Sequence, residues 1–285
     1  MLWCTEKEFN IFSSPLIQCN HMSKLPISLG ILSWKDHSTL AKTLETYKRN
    51  GILEMVGQIT LWFNEATPKD VKLAKAYNLS YIECLENVGI GKAFVELAKM
   101  SSQNFFTPLE NDWHLIEDSA TTLEHLTAAI KLMEEQDFHM VRLRHRQDFG
   151  HPHFSHSHHL KNWEYYDPWH EKDQPHLLDS IHWIERPELD FREKINKFEE
   201  FFTTTSRYGN RTNNPCLWKT HFYIEQTEPF MGDAIDLERN VAKHWSDSDF
   251  KVAHGEGLFK HVDIKKYGKW RKFGPQRILS RIFKG

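Results

Sequence analysis

The sequence has few cysteines, and none is spaced for a metal site or a disulfide framework. Its 285 residues contain four, and no pair shows CxxC spacing. Zinc knuckles and small disulfide-rich scaffolds depend on closely spaced cysteines. The sequence therefore argues against both classes and favours a reducing compartment such as the cytoplasm. The four cysteines are Cys4, Cys19, Cys84 and Cys216.

The sequence also lacks a strong charge of either sign and a long apolar run. The formal net charge is −3, whereas nucleic-acid-binding proteins usually present a basic surface. Nucleic acid is therefore not an expected partner. Glu6, Lys7 and Glu8 interrupt the first apolar residues before a signal-peptide core could form, and no segment approaches a membrane span in length. We expect a protein that is soluble or peripheral to a membrane.

No stretch rich in glycine, serine or proline divides the chain into separate units. With 40% hydrophobic and 13% aromatic residues, the chain can bury a large core. We therefore predict one compact domain with two halves, preceded by an N-terminal extension. The predicted ranges are 1–25 for the extension, 26–118 for the first half and 119–285 for the second, which ends in a basic tail from about residue 265.

Apolar runs alternate with segments of helical periodicity through the first half. After the first run, Leu40, Leu44 and Tyr47 lie at helical spacing behind Ser38, and Gly51 would end that helix. Three successive β–α units predict an α/β fold with a mostly parallel sheet flanked by helices, followed by a less regular α+β half. The predicted strands are residues 27–34, 58–63, 79–85 and 104–109.

Polar residues follow each predicted strand, in the segments SWKD, WFNEATPKD, ENVGIGK and ENDW. Ligands of open parallel sheets bind beyond the carboxyl ends of the strands. These segments suit a ligand the size of a nucleotide. Loops are often polar for reasons of solvation alone, so this pattern leaves both interpretations open.

The most informative segment is NFFTPLENDWHL, in which an apolar strand ends in Glu110, Asn111 and Asp112. Two carboxylates that are separated by one residue at a strand end can share one hard cation. Mg²⁺ and Mn²⁺ prefer oxygen ligands, and Mg²⁺ keeps few protein ligands and takes the rest from water and phosphate. The alternative is a solvated acidic turn.

The segment ENVGIGKA predicts a phosphate-binding turn ahead of a helix. Gly89 and Gly91 would let the backbone approach phosphate closely, and a helix N-terminus offers free N–H groups to an anion. Lys92 could add a positive charge. A tight turn with a solvated lysine is the alternative.

The segments PISLGILSW, QITLWFNE, YIECLENVGIGKAF and NFFTPLENDW, in this order, resemble the nucleotide-binding half of family 2 glycosyltransferases with the GT-A fold. The resemblance covers about residues 26–118. It implies that the first half binds a nucleoside-diphosphate sugar and that the second half, 119–285, binds the acceptor. It also implies Mn²⁺ or Mg²⁺ as cofactor.

The resemblance assigns roles to residues of the first half by position. The base and ribose would contact Ser33, Trp34, Asn64 and Glu65, while Asn87, Gly89, Gly91 and Lys92 would lie near the diphosphate. Glu110 and Asp112 correspond to the family's Asp-X-Asp motif, which holds ribose and metal. Two departures leave the identity of the base open: Glu110 replaces the usual first Asp, and Asn64 with Glu65 replaces the acidic residue expected to read the base.

The segment MGDAIDLERNVAKHW carries a helical stripe of Leu237, Val241 and Trp245 with acidic residues at its start. Family 2 enzymes commonly have the catalytic carboxylate at such a helix N-terminus. The resemblance therefore implies Glu238 as the first choice for the catalytic base and Asp236 as the second. Capping is the alternative, because acidic residues favour helix N-termini without any catalysis.

The segment GEGLFKHVD contains His261, which resembles the C-terminal histidine that completes the metal site in many GT-A enzymes. Its neighbours Gly255 and Gly257 predict a mobile loop. An ordinary polar histidine is the alternative.

Three further patterns lie in the second half. The histidine-rich run at residues 151–159 could suggest zinc, but it has no partnering cysteine and no obvious scaffold, so we interpret it as a solvated loop. Arg142, Arg144 and Arg146 alternate, which predicts either a phosphate-gripping or an exposed basic strand face. Phe191, Ile195, Phe198 and Phe202 predict a helix.

The resemblance thus implies a glycosyltransferase of glycan biosynthesis that moves a hexose or related sugar from a UDP- or GDP-sugar to a hydroxyl of a glycan or glycoconjugate. Inversion is the expected outcome. The alternative is a non-catalytic nucleotide- or carbohydrate-binding protein that keeps the sheet. The basic, aromatic tail from about residue 265 also suits peripheral contact with anionic lipid.

Overall fold

The computed structural model describes residues 24–150, 176–182, 184–231 and 237–262. Four predictions concern residues outside these ranges. They are the N-terminal extension up to residue 23, the histidine-rich run, Asp236 and the basic tail.

In the described part of the chain, ten strands form one sheet. The strands are β1 (Leu25–Trp34), β2 (Val56–Asn64), β3 (Ser80–Cys84), β4 (Phe105–Glu110), β5 (Trp113–Leu115), β6 (Met140–Arg144), β7 (Asn196–Phe198), β8 (Phe201–Thr205), β9 (Cys216–Lys219) and β10 (Lys251–His261). Their order across the sheet is β3-β2-β1-β4-β9-β6-β10-β8-β7, and β5 pairs with β10.

Helices connect the strands. They are α1 (His37–Arg49), α2 (Ile52–Met55), α3 (Pro68–Ala76), α4 (Ile90–Lys99), α5 (Ser119–Glu135), α6 (Pro187–Asp190), α7 (Thr220–Thr227) and α8 (Leu237–Ser246). Short 3-10 helices cover Leu177–His182 and Glu228–Phe230.

The first half builds the parallel part of the sheet. Strand β1 pairs in parallel with β2 and β4, and β2 pairs in parallel with β3. The second half joins through β9, which lies antiparallel between β4 and β6. The predicted α/β fold class, with a mostly parallel sheet flanked by helices, is therefore confirmed.

Local signals explain where the first helices begin and end. Asp36, two residues before Ser38, caps α1, because its side chain accepts a hydrogen bond from Thr39 N at 3.0 Å. Gly51 follows this helix with φ of 79°, in the left-handed region that glycine tolerates. Thr67 and Asp70 form a reciprocal capping box at the start of α3.

Apolar side chains cover both faces of the sheet. Ile27, Leu29 and Ile31 alternate along β1 into a core that includes residues of α1 and α5. Leu32 and Trp62 belong to a second core, which includes residues of α4 and α8. Burial on both faces explains why the strands read as continuous apolar runs.

The predicted helix through Phe191, Ile195, Phe198 and Phe202 is wrong. The structure has the β7–β8 hairpin there, with Phe198 opposite Phe201. Glu199 turns the chain with a positive φ of 50°. Phe201 and Phe202 are buried, whereas Phe198 is 39% exposed, so the four residues do not share one buried helical face.

The predicted mobile loop at Gly255 and Gly257 is also wrong, because both glycines lie inside β10. The pairing of β10 with β6 is irregular between His254 and Phe259. At Gly257 φ is +80°, and a Cβ there would lie 2.1 Å from the carbonyl oxygen of Arg144. Gly257 thus permits a close backbone approach within the strand, whereas Gly255 leaves room for the side chains of His125 and Phe201.

The alternating arginines do not form an exposed basic face. Arg142 and Arg144 are 4% and 2% exposed. Arg142 pairs with Asp179 at 2.5 Å, and Arg144 Nε donates to the carbonyl oxygen of Phe149 at 3.0 Å. Arg146 donates to backbone carbonyls that include Ile181 O at 2.9 Å. All three side chains bind within the protein.

Candidate functional site

The carboxyl ends of β1, β2 and β4 meet at one edge of the sheet. Trp34 is in register with Asn64 of β2, and Leu32 is in register with Glu110 of β4. The polar segments that follow these strands are therefore neighbours in space. We call this edge the strand-end site.

Two residues after β1 and β2 contact each other on the outer side of the strand-end site. Trp34, which is 43% exposed, donates through Nε1 to Glu65 Oε2 at 3.1 Å. Glu65 also pairs with Lys35, and the hydrogen bond from Lys35 lowers the pKa of the Glu65 carboxyl. The indole and the carboxylate together form an exposed surface that a planar group could contact.

Asn64 connects the end of β2 to the turn before α4. Its Oδ1 accepts from Trp62 Nε1 at 2.9 Å, and its Nδ2 donates to Asn87 Oδ1 at 3.0 Å. Asn87 Oδ1 also accepts from Gly89 N at 2.9 Å. Hydrogen bonds thus fix the conformation of the turn that precedes the helix.

The two glycines of this turn have different environments. Gly89 precedes α4 with φ of 82°, and no side chain caps this helix N-terminus. Gly91 is buried, and a Cβ on it would lie 3.4 Å from Leu237 at the start of α8. Lys92 is exposed on the first turn of α4. Gly89 is therefore the glycine at the open helix N-terminus, while Gly91 packs α4 against α8.

Asn111 anchors the turn between β4 and β5. Its Nδ2 donates to Ser33 Oγ and to Asp36 O, each at 3.2 Å. Its own carbonyl oxygen accepts from Thr43 Oγ1 at 2.7 Å. These bonds hold the segment between Glu110 and Asp112 against the end of β1.

The structure brings His261 to Asp112, although 149 positions separate them in the chain. Strand β10 pairs with β5, so His261 lies opposite Trp113 and stacks on its ring with centroids 4.6 Å apart. His261 Nε2 is 3.1 Å from Asp112 Oδ2, and Val262 N donates to Asp112 O at 3.0 Å.

Among the described residues, the second carboxylate oxygen of Asp112 has no hydrogen-bond partner. Asp112 is 8% exposed, and its Oδ1 is buried without a hydrogen bond. A buried carboxylate oxygen without a partner is costly, and a cation is one ligand that satisfies it. This atom is the clearest indication of a cation-binding position at the strand-end site.

Glu238 brings a third carboxylate to the strand-end site, from the first turn of α8. Its Oε1 accepts from Asn213 N at 2.6 Å. Burial, together with the negative charges of Asp112 and Glu238, raises the pKa of Glu110 to about 8. Glu110, Asp112 and Glu238 therefore lie close enough to interact electrostatically. Asp236 lies outside the described residues.

The donor set fits a hard divalent cation that brings its own further ligands. Among the described residues, no three His, Cys, Asp or Glu side chains form a ready-made cluster for a metal ion. Asp112 with its unpartnered oxygen, together with Glu110 and His261, supplies oxygen and nitrogen donors. Mg²⁺ commonly binds through one or two carboxylates plus substrate phosphates, so this set suits a cation that arrives with a diphosphate.

Sequence reasoning missed the contribution of residues 210–214. Arg211 is 5% exposed, lies over the rings of Trp218 and Tyr223, and donates to Asn213 Oδ1 at 3.0 Å. Asn213 in turn donates its backbone N–H to Glu238. No local pattern could reveal this contact, because 25 positions separate Asn213 from Glu238.

Two solved structures are similar to this chain over most of its length. S. aureus TarS 1-349 matches with a TM-score of 0.51 and 8% identity, over 84% of this chain and 60% of that one. A mannosyltransferase, PcManGT from Pyrobaculum calidifontis in complex with GDP-Man and Mn²⁺, matches with a TM-score of 0.50 and 10% identity, over 98% of this chain and 69% of that one.

The fold is that of the GT-A glycosyltransferases. The chain spans about three fifths of the length of TarS 1-349. No protein-family model matches the sequence, and no curated protein matches it. At these identities the likeness establishes the fold alone.

Within the described part of the chain, no helix combines the length and the apolar character that crossing a membrane requires.

Proposed function

We propose that this protein is a glycosyltransferase that moves a sugar from a nucleoside-diphosphate donor to a hydroxyl acceptor, with Mn²⁺ or Mg²⁺. The observation that carries the proposal is the strand-end site on a GT-A fold. There the Asp112–His261 pair, Glu110 and Glu238 come together from distant parts of the chain. The complex of the mannosyltransferase with GDP-Man and Mn²⁺ supports the donor class and the cation.

The donor would lie along the carboxyl ends of β1, β2 and β4. Ser33, Trp34, Asn64 and Glu65 would contact base and ribose, and the Trp34 side chain is 43% exposed. The diphosphate would approach the open N-terminus of α4, where Asn87 fixes Gly89 and Lys92 is exposed. Gly91 would contribute by allowing α8 to pack closely.

The cation would bind Asp112, with Glu110 and His261 as further ligands. When bound, it would stabilise the negative charge of the departing nucleoside diphosphate. Cation binding at Asp112 Oδ1 would break no hydrogen bond of that atom among the described residues, and His261 Nε2 already lies beside Oδ2. The ribose hydroxyls are the second expected contact of Glu110.

Glu238 is our first choice for the base, and Asp236 the second. The acceptor oxygen attacks the anomeric carbon, the bond to the diphosphate oxygen breaks, and a carboxylate takes the proton of the acceptor hydroxyl. A single displacement of this kind inverts the anomeric centre. Asn213 N–H holds one oxygen of Glu238, which would orient the carboxylate during proton transfer.

Binding of the nucleotide tests the donor site directly. Titration with UDP and with GDP, in Mn²⁺ and then in excess chelator, should give metal-dependent affinity for at least one nucleotide. If each nucleotide binds with the same affinity in Mn²⁺ and in excess chelator, the proposed cation site is contradicted.

The acceptor would be a glycan or glycoconjugate, and the reaction would be a step of glycan biosynthesis.

The second candidate function is non-catalytic binding of a nucleotide or carbohydrate. Glu110, at the position where the resembled family has an Asp, favours it. Such a protein would bind the nucleotide but release no nucleoside diphosphate from any donor sugar.

A further inference from the structure

Arg144, the last residue of β6, is buried close to the end of β10 that carries His261. It is 2% exposed and lies in register with Phe259 of β10. A buried guanidinium needs partners inside the protein, because burying its N–H donors unpaired costs free energy. The groups that Arg144 contacts therefore indicate its role.

One of these groups is a carbonyl that also binds the backbone of His261. Arg144 Nε donates to Phe149 O at 3.0 Å, and His261 N donates to the same oxygen at 3.3 Å. The next residue, Gly150, pairs with His261 as an isolated parallel bridge, and a Cβ on Gly150 would lie 1.9 Å from His261 O. The carbonyl of Phe149 thus links the arginine directly to the backbone of the histidine.

Further contacts fix the turn that contains Phe149. His145 Nδ1 accepts from Gln147 N at 3.2 Å and from Asp148 N at 2.8 Å. Lys260 of β10 pairs with Asp148 at 2.7 Å. The turn is therefore attached to β10, and the carbonyl of Phe149 has a defined position beside the end of that strand.

The other group is the ring on which His261 stacks. The guanidinium carbon of Arg144 lies 5.2 Å from the centroid of the Trp113 ring, and the His261 ring stacks on Trp113 with centroids 4.6 Å apart. Planar guanidinium groups contact aromatic faces favourably. Arg144 thus contacts both the carbonyl that binds the His261 backbone and the indole that contacts its imidazole.

We propose that Arg144 is a positioning residue, which holds the His261 imidazole where it can bind the cation of the strand-end site. Contacts behind a metal-binding histidine commonly fix its orientation. Like charges repel, so the contribution of Arg144 would be geometric rather than electrostatic. The role of the cation rests on the proposed function, whereas the placement of His261 by Arg144 does not.

NMR of the metal-free protein tests this placement. The His261 ring signals are assigned with His261→Gln, and their ring-current shift reports stacking on Trp113. We expect Arg144→Lys to lose this shift, because lysine keeps the positive charge but has no planar group that contacts carbonyl and indole together. Metal-dependent affinity for UDP or GDP should also fall, by about 10- to 100-fold, as is typical when contacts behind a metal ligand are removed.

Arg142→Lys is the matched control. Arg142 is the other arginine of β6, is also buried, and pairs with Asp179. This variant should keep the ring-current shift and the wild-type metal-dependent affinity. If Arg144→Lys does not fold, Gly150→Ala replaces it, because the new Cβ would push the turn away from the His261 carbonyl. Gly150→Ala should lose both properties.

Two results would overturn the role of Arg144. One is a wild-type position of the His261 signals in folded Arg144→Lys, or in the Gly150→Ala protein that replaces it. The other is an equal change of these signals in Arg142→Lys. Wild-type nucleotide binding that does not depend on metal would instead contradict the proposed cation site, and the NMR comparison would still decide whether Arg144 places His261.

Discussion

Asp112 has two carboxylate oxygens in different environments. Oδ2 lies 3.1 Å from His261 Nε2, while Oδ1 is buried without a partner. The histidine fixes the direction of the side chain, and the unpartnered oxygen is available to a ligand. This asymmetry distinguishes Asp112 from a solvated acidic residue of a surface turn.

Asp112→Asn should weaken metal-dependent nucleotide binding by more than about a hundredfold. Even residues that only support metal ligands typically contribute ten- to a hundredfold to metal affinity, and Asp112 would be a direct ligand. Calorimetric titration of UDP or GDP in Mn²⁺ measures the effect. Asp249→Asn is the control, because Asp249 is an exposed carboxylate just before the opposite end of β10. Wild-type affinity in a folded Asp112→Asn protein would contradict the assignment.

Glu238→Gln should lower turnover by about a hundredfold or more while nucleotide affinity stays nearly unchanged. General-base catalysis contributes about 10²–10⁴-fold, and glutamine keeps an oxygen that can accept from Asn213 N. Steady-state kinetics with the true acceptor separate turnover from binding. If Glu238→Gln and Asp236→Asn each retain near-normal turnover, the base lies elsewhere.

At the scale of single elements, strand β10 connects the fold to the strand-end site. It pairs with β6, β8 and β5, and it ends at His261. Its irregular stretch contains Gly257 at φ of +80°. The position of His261 therefore depends on a backbone conformation that only glycine adopts easily.

Gly257→Ala should destabilise the protein by about 1–3 kcal/mol, because alanine is strained at this φ and its Cβ would meet the carbonyl oxygen of Arg144. Chemical denaturation measures the change. In the control Gly57→Ala, the new Cβ meets only the flexible end of Gln103, so the change should stay within about 0.5 kcal/mol. Equal stability of the Gly257→Ala protein and the wild type would show that the strand tolerates a side chain there.

The elements that the sequence predicted are those with strong local signals. Strands β1 to β4 follow from their apolar runs, because burial on both faces leaves no polar alternation. The β7–β8 hairpin was missed because Glu199 occupies a positive-φ turn position where Asn or Gly is usual. The site itself depends on contacts such as His261 with Asp112, and tertiary pairing of β10 with β5 creates that proximity.

At the scale of the whole molecule, buried histidines make stability depend on pH. Burial lowers the pKa of His125 and of His182 to about 4, and it lowers the pKa of His254 well below its usual value. The unfolded chain binds protons at these positions near pH 6.5, whereas the folded protein does not. Stability is therefore fully present above about pH 6.5 and is lost as the pH falls toward 4.

Each of these histidines should contribute up to about 1.4 kcal/mol per pH unit to this loss. His125→Leu should lower the slope of unfolding free energy against pH by the contribution of one proton. The reason is that, among the described residues, His125 Nε2 is buried without a hydrogen-bond partner, and the ring contacts Phe201. Urea denaturation from pH 7.5 to 4.5 measures the slope. Identical slopes for wild type and variant would contradict the buried, neutral state of His125.

Release of nucleoside diphosphate from donor sugars tests the central claim most directly. Purified wild-type protein and the Asp112→Asn and Asp249→Asn variants are incubated with a panel of UDP- and GDP-sugars in Mn²⁺, with and without chelator. We predict slow, metal-dependent hydrolysis of at least one donor by the wild type and by Asp249→Asn, and none by Asp112→Asn. Metal-dependent nucleotide binding with no release from any donor would contradict the enzymatic account and favour a binding protein.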